Sequence, residues 1–188
     1  MGRLTVVFET HSTSEDNERG IATGWHPGRL STRGRRQALE LGRRRRHDTL
    51  DAVYASDLAR AVETARLAFD GTAHPLVFDR RLRECDYGAW NGMTRARFEA
   101  ERLRRLDLPW PGGESWRQAV ARVDGFLDEL VSERPEGRVL VIGHVATRWA
   151  LEARAGRTLE ELARAPFLWR PGWEYELGPS ARPGRSRP

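Results

Sequence analysis

The chain has 188 residues, which suits one domain with an ordinary core, and 39% hydrophobic against 31% charged residues, the balance of a soluble globular protein. No apolar run approaches the roughly 20 residues that span a membrane, "LTVVF" is shorter than a secretory core of about 7–15 residues, and the single cysteine, Cys85, excludes an internal disulfide framework, so the expected location is the cytoplasm. A net charge of +5 and a pI near 10.4 would ordinarily point to nucleic acid, but every basic residue is arginine and most arginines interleave with Glu and Asp, as in "RARFEAERLRRLD", the pattern of solvated helix faces.

Strand-like and helix-like segments then alternate. "LTVVFE" reads as a buried strand that runs into His11 and a polar loop. "TRGRRQALELGRRRR" reads as a helix opened near Ser31 or Thr32, with the dense "RRRRH" run at its end, where cations suit the dipole. "AVYAS" is a second strand, "DLARAVETARLAF" a helix with Asp57 near its start, and "PLVFD" a short third strand. The Trp-containing stretch 84–113 reads as loop and irregular helix. "SWRQAVARVDGFLDELVSE" is a strong amphipathic helix, with Ala119, Val123, Phe126, Leu127 and Leu130 at helical spacing. "GRVLVIGH" is a strand ending in His144, "VATRWALEARAG" a helix closed at Gly156, and "EYEL" a last edge strand. Residues 1–178 are expected to form one domain and 179–188 a disordered tail.

This alternation implies a three-layer α/β sandwich with a mainly parallel central sheet flanked by helices. In such sheets ligands bind beyond the carboxyl ends of the strands. His11 and His144 each follow a strand, so two histidines far apart in sequence land at one sheet edge.

A neutral imidazole can attack phosphorus. That chemistry needs the positioned histidine, cations on the non-bridging oxygens, an acid for the leaving oxygen and a floor of hydrogen-bond donors. Arg60, in the first turn of a helix after a strand, is placed to clamp an anion; read alone, it is equally a surface arginine. Glu84 is a candidate general acid if burial keeps it protonated, or a loop glutamate paired with Arg81 or Arg83. No His, Cys and Asp residues fall at metal-ligand spacing.

Five segments carry a resemblance. "THSTSEDN" at 10–17, with "TGW" at 23–25 and "LSTRG" at 30–34, is followed in order by "YASDLARAVETA", "LRECDYGAWNG", "PGGESWRQAVARV" and "VLVIGH". Over nearly the whole chain, to about residue 177, the sequence resembles the histidine phosphatase superfamily, also called the phosphoglycerate mutase-like family. The resemblance implies that His11 is the phosphorylated nucleophile. Arg60 and His144 would bind the transferring phosphoryl group, with Asn17 and the Thr23–Gly24 turn completing the pocket. Glu84 would protonate the leaving group and later activate water. No metal or other cofactor is implied, and the expected partner is a small phosphorylated anion, with neither nucleic acid nor membrane.

The family's first motif reads Arg-His-Gly, and this chain has Thr10 and Ser12 on either side of His11. Threonine donates one hydrogen bond but neutralises no phosphate. Losing one preorganised donor costs on the order of 10²–10³ in rate, and losing a charged clamp about 10³–10⁵. Arg148, four residues after His144 on the same helix face, is a candidate replacement for part of that charge. Glu9 shares strand parity with His11 and needs a cationic partner if buried; the alternative is negative charge near the site. Cys85 reads as packing. Mutases of this family carry a longer segment after the general acid, whereas about 25 residues separate Glu84 from "PWPGGES" here. A metal-independent phosphomonoesterase acting on a small organic phosphate is therefore expected, with Trp25, Trp90 and Trp110 as possible pocket walls. The alternatives are a mutase-type phosphotransferase, an anion-binding protein or a homologue repurposed for another substrate.

Overall fold

A computed structural model describes residues 3–166 and 169–178, so the expected disordered tail at 179–188 lies outside the described residues. The chain runs β1 (Leu4–Thr10), α1 (Glu15–Glu18), β2 (Ile21–Ala22), α2 (Thr32–Arg45), β3 (Ala52–Ser56), α3 (Ala59–Phe69) and β4 (Leu76–Asp79). It continues through β5 (Met93–Thr94), α4 (Arg95–Glu101), α5 (Trp116–Glu133), β6 (Arg138–Gly143), α6 (Val145–Arg154), α7 (Leu159–Arg164) and β7 (Trp173–Leu177). The main sheet has the order β4-β3-β6-β1-β7. Its first four strands are parallel and β7 joins the edge antiparallel to β1. The three-layer α/β reading and the last edge strand both hold.

The apolar runs form the central strands because both sheet faces are covered. Val6 and Phe8 pack on one side with residues of α5 and α6, while Val7 packs on the other with α2 and α3. Phe8 is fully buried, worth about 1.5–3 kcal/mol over an exposed ring. The α5 stripe is buried as its spacing predicts, and its start is fixed by Ser115 and Gln118, each accepting the other's backbone N–H.

Glu9 follows Val7 onto the α2 side, where it is 2% exposed and faces the arginine run. Arg44 Nη2 reaches its Oε1 at 3.3 Å and Arg45 Nε at 3.5 Å. The "RRRR" run thus closes α2 and neutralises a buried carboxylate, the structural alternative for Glu9.

The α3 helix starts at Ala59, so Asp57 lies near its start as expected. Asp57 takes a two-pronged bond from Arg83, with both contacts at 2.6 Å. Two features go beyond the sequence reading. The stretch read as irregular carries β5, which pairs with β2, and the helix α4. The helix α7 was not expected, although Thr158 and Glu161 form a reciprocal capping box at its start.

Candidate active site

Strand register brings the two histidines together. Thr10 of β1 pairs with Gly143 of β6 in parallel, so the next residue on each strand leaves the sheet at the same level. The His11 backbone N–H donates to the Gly143 carbonyl at 3.0 Å. The His11 and His144 rings then lie 4.9 Å apart, centroid to centroid.

His11 Nδ1 lies 2.8 Å from the Ser12 carbonyl. A carbonyl only accepts, so Nδ1 carries the proton and Nε2 keeps its lone pair. Arg60 Nε sits 3.3 Å from that Nε2. Burial, with Arg60 next, lowers the His11 pKa to about 3, against a smaller opposing effect of the Ser12 bond. The ring is therefore neutral at physiological pH, with its unprotonated nitrogen beside a guanidinium.

Arg60, in the first turn of α3, is 2% exposed. Its Nη2 donates to the Gly24 carbonyl at 2.9 Å and Nη1 to the His26 carbonyl at 3.2 Å. Burial lowers the guanidinium's pKa from its ordinary value, while the nearby Glu84 raises it. Nη2 also lies 3.3 Å from His144 Nδ1. With Nδ1 accepting there, His144 presents an N–H at Nε2, and that buried atom has no partner. Burial, then Arg60, drives the His144 pKa well below the ordinary value.

The Thr23–Gly24 turn shapes the floor. Gly24 has φ +56°, and a Cβ there would collide with the Asn91 side chain and Tyr87. Its carbonyl holds Arg60, while the buried Thr23 Oγ1 has no partner. Gly24→Ala is expected to destabilise the protein by about 1–3 kcal/mol, read as a lower urea midpoint. Asn17 sits at the third position of α1, and its Oδ1 accepts from the Ser14 N–H at 3.0 Å.

Glu84 arrives from a distant segment and is 8% exposed. Its Oε1 accepts from the Cys85 N–H at 3.0 Å and the Ala146 N–H at 3.1 Å, and Oε2 from the Val145 N–H at 3.2 Å. The carboxyl thus rests on the N-terminus of α6, one residue past His144. Burial raises its pKa, and the backbone donors and Arg60 only partly oppose this.

The seven residues that the resemblance assigns to the site — His11, Asn17, Thr23, Gly24, Arg60, Glu84 and His144 — line one cavity of about 400 Å³. Thr10 and Arg148 line it too. Arg148 also lies 3.6 Å from Glu152 through Nε, with its guanidinium 4.9 Å from the Trp173 ring centre. Trp25, Trp90 and Trp110 are not among the lining residues. Trp110 is core, Trp25 donates to the Glu84 carbonyl, and Trp90 stacks under Arg97. The aromatic wall is instead Tyr87, Phe98, Trp149 and Trp169, and Arg33, Arg95, Arg102 and Arg157 add positive charge. Cys85 is buried and its thiol is pushed far up, which fits packing. Among the described residues, no three His, Cys, Asp or Glu side chains gather as a metal site.

Comparison with known proteins gives the family. The model of the histidine phosphatase superfamily (branch 1) matches residues 7–167. The chain is 34% identical to a 2,3-bisphosphoglycerate-dependent phosphoglycerate mutase of Azorhizobium caulinodans, over 92% of this chain and 94% of that protein. Among solved structures it resembles mycobacterial hydrolase 1, with a TM-score of 0.78 and 25% identity over 92% of this chain and 90% of that one. It also resembles a mycobacterial glucosyl-3-phosphoglycerate phosphatase in complex with VO3, with a TM-score of 0.72 and 25% identity over 95% and 90%. This chain belongs to the histidine phosphatase superfamily.

Proposed function

We propose that this protein, as a single domain over residues 1–178, hydrolyses a small organic phosphomonoester through a phosphohistidine at His11, without a metal ion. The observation that carries the reading is the pairing of a neutral imidazole, whose free Nε2 faces Arg60, with two buried and unpartnered donors, Thr23 Oγ1 and His144 Nε2. A phosphoryl group seated against His11 would take up those donors. The cation that other phosphoryl-transfer sites draw from metal would come from Arg60.

In the first half-reaction His11 Nε2 forms a bond to phosphorus while the bond from phosphorus to the ester oxygen breaks, and Glu84 gives its proton to that oxygen. In the second, Glu84 takes a proton from water as the water oxygen bonds to phosphorus. The P–N bond then breaks, returning neutral His11 and releasing phosphate. The raised pKa of Glu84 suits the first role. The basic, aromatic cavity wall suits an organic phosphate.

The test is detection of an acid-labile phosphoenzyme after mixing the protein with p-nitrophenyl phosphate and a panel of metabolic phosphomonoesters. Absence of both label and released phosphate across the panel, with the protein folded, would overturn the reading. A mutase is the second reading, favoured by the name of the Azorhizobium relative. Interconversion of 2- and 3-phosphoglycerate faster than phosphate release would select it. The short segment after Glu84 favours water as acceptor.

The pH dependence follows from the same groups. The acid limb of phosphoenzyme formation set by the nucleophile is expected near pH 3 instead of the ordinary 6.5. The alkaline limb follows loss of the Glu84 proton, above the ordinary carboxylate range. Single-turnover rates across pH check both, and Glu84→Gln is expected to remove only the alkaline limb.

A further inference from the structure

Arg122 on α5 spends its guanidinium on the irregular segment that carries Glu84. Its Nη1 donates to the Arg81 carbonyl at 2.7 Å and the Arg83 carbonyl at 3.2 Å, and its Nη2 donates to the Glu84 carbonyl at 3.2 Å. Glu114 locks the other edge of the fork, accepting from Nε at 2.8 Å and Nη2 at 2.7 Å. Glu114 Oε2 also accepts from the Asp86 N–H at 3.1 Å, so the pair grips the peptide chain on both sides of Glu84. Trp25 adds a second donor to the Glu84 carbonyl, from Nε1 at 2.7 Å. The indole is flanked by Arg83 and Arg122, with guanidinium carbons 4.7 and 5.9 Å from its ring centre.

After β4 ends at Asp79 a 3₁₀ turn spans Arg80–Leu82 and no strand follows before β5, so the Arg81, Arg83 and Glu84 carbonyls need donors from elsewhere. A planar fork satisfies three of them at once and fixes the peptide plane from which the Glu84 side chain departs. Arg122 touches neither the cavity nor the Glu84 carboxyl; it acts through the main chain.

We propose that Arg122, braced by Glu114 and seconded by Trp25, is the positioning residue of the general acid, setting where the Glu84 carboxyl stands relative to the leaving oxygen. The inference rests on Glu84 being that acid. Displacement of a proton donor by even about 1 Å weakens proton transfer steeply, and it does so only where the leaving oxygen needs a proton. 2,4-Dinitrophenolate needs none, whereas an alcohol does.

The experiment compares single-turnover release of the leaving group from 2,4-dinitrophenyl phosphate and from glycerol phosphate, for wild type, Glu84→Gln, Arg122→Met and Trp25→Phe. Glu84→Gln is expected to slow the glycerol ester by about 10²–10⁴ and to spare the dinitrophenyl ester. Arg122→Met is expected to show the same selectivity, at roughly 10–10²-fold. Trp25→Phe, which removes one donor and no charge, shows it more weakly and serves if Arg122→Met melts. Equal slowing of both esters, or no change in either, by the folded variants would overturn the positioning role. Unselective behaviour of Glu84→Gln itself would overturn the general-acid reading instead.

Discussion

His11→Ala is expected to lose turnover by roughly 10⁴–10⁶, the scale on which nucleophile deletions act, and to form no acid-labile phosphoenzyme. No other group replaces it. The thiol of Cys85 is buried and held protonated. His144 has its Nδ1 against Arg60 and presents a donor on the other nitrogen. The same substitution leaves a signature in stability that separates loss of chemistry from loss of fold. In the folded protein His11 has a pKa of about 3, below the ordinary 6.5. Between those values the unfolded chain binds the proton and the folded chain does not. The His11 contribution to stability is therefore full above about pH 6.5 and falls as pH drops toward 3. Glu84, with a raised pKa, works in the opposite sense, contributing below its ordinary value and losing that contribution as pH rises. Thermal melts of His11→Ala are expected to decline less steeply with acid than the wild type, the remainder coming from His144 and from carboxylates held low by arginine, Asp79 among them. A phosphoenzyme on the variant would place the nucleophile elsewhere, and an equal or steeper decline would mean that the fold does not hold His11 neutral.

The sheet was legible because its signal is local. Short runs such as "VLVIG" bury both faces, and a histidine at the end of each of two parallel neighbours has only one place to go. That the candidate residues share one cavity was foreshadowed differently: the resemblance carried by ordered motifs pointed to them, and register, helix start and turn bring them together. What stayed hidden depends on contacts between distant segments. That Glu84 rests on the first amides of α6 joins residues about sixty positions apart, and no periodicity announces it. The cavity wall stayed hidden because a tryptophan's type does not say where it packs: Tyr87, Phe98, Trp149 and Trp169 form the wall, brought together from α4, α6 and two loops. The α7 start was readable in Thr158 and Glu161. The role of Glu9 turned on which cation met it, and the α2 arginines, read as dipole partners, also neutralise it.

Arg60→Ala is expected to lower kcat/KM by about 10³–10⁵, and Thr10 places this chain toward the upper end. A site with two arginines on the phosphate keeps one when the other is removed; here Thr10 supplies no charge, and Arg148 is already engaged with Glu152 and Trp173. Arg60 also holds the site's shape, joining the Gly24 and His26 carbonyls to both histidines. Removing it therefore costs position as well as charge. Arg60→Lys separates the two: it keeps the cation but cannot reach four partners at fixed angles, so most of the loss should remain. The converse substitution, Thr10→Arg, adds a cation on the cavity wall and is expected to raise kcat/KM by about 10²-fold in the wild type. In the Arg60→Ala background it should recover only part of the loss, because charge returns without the bracket that aligns His11 and His144. Steady-state kinetics on one phosphomonoester across the four variants checks these outcomes. A loss below about tenfold in Arg60→Ala would move the phosphate clamp to another arginine of the cavity. Arg148→Ala would then be the next variant to measure, since Arg148 springs from the same helix that His144 begins.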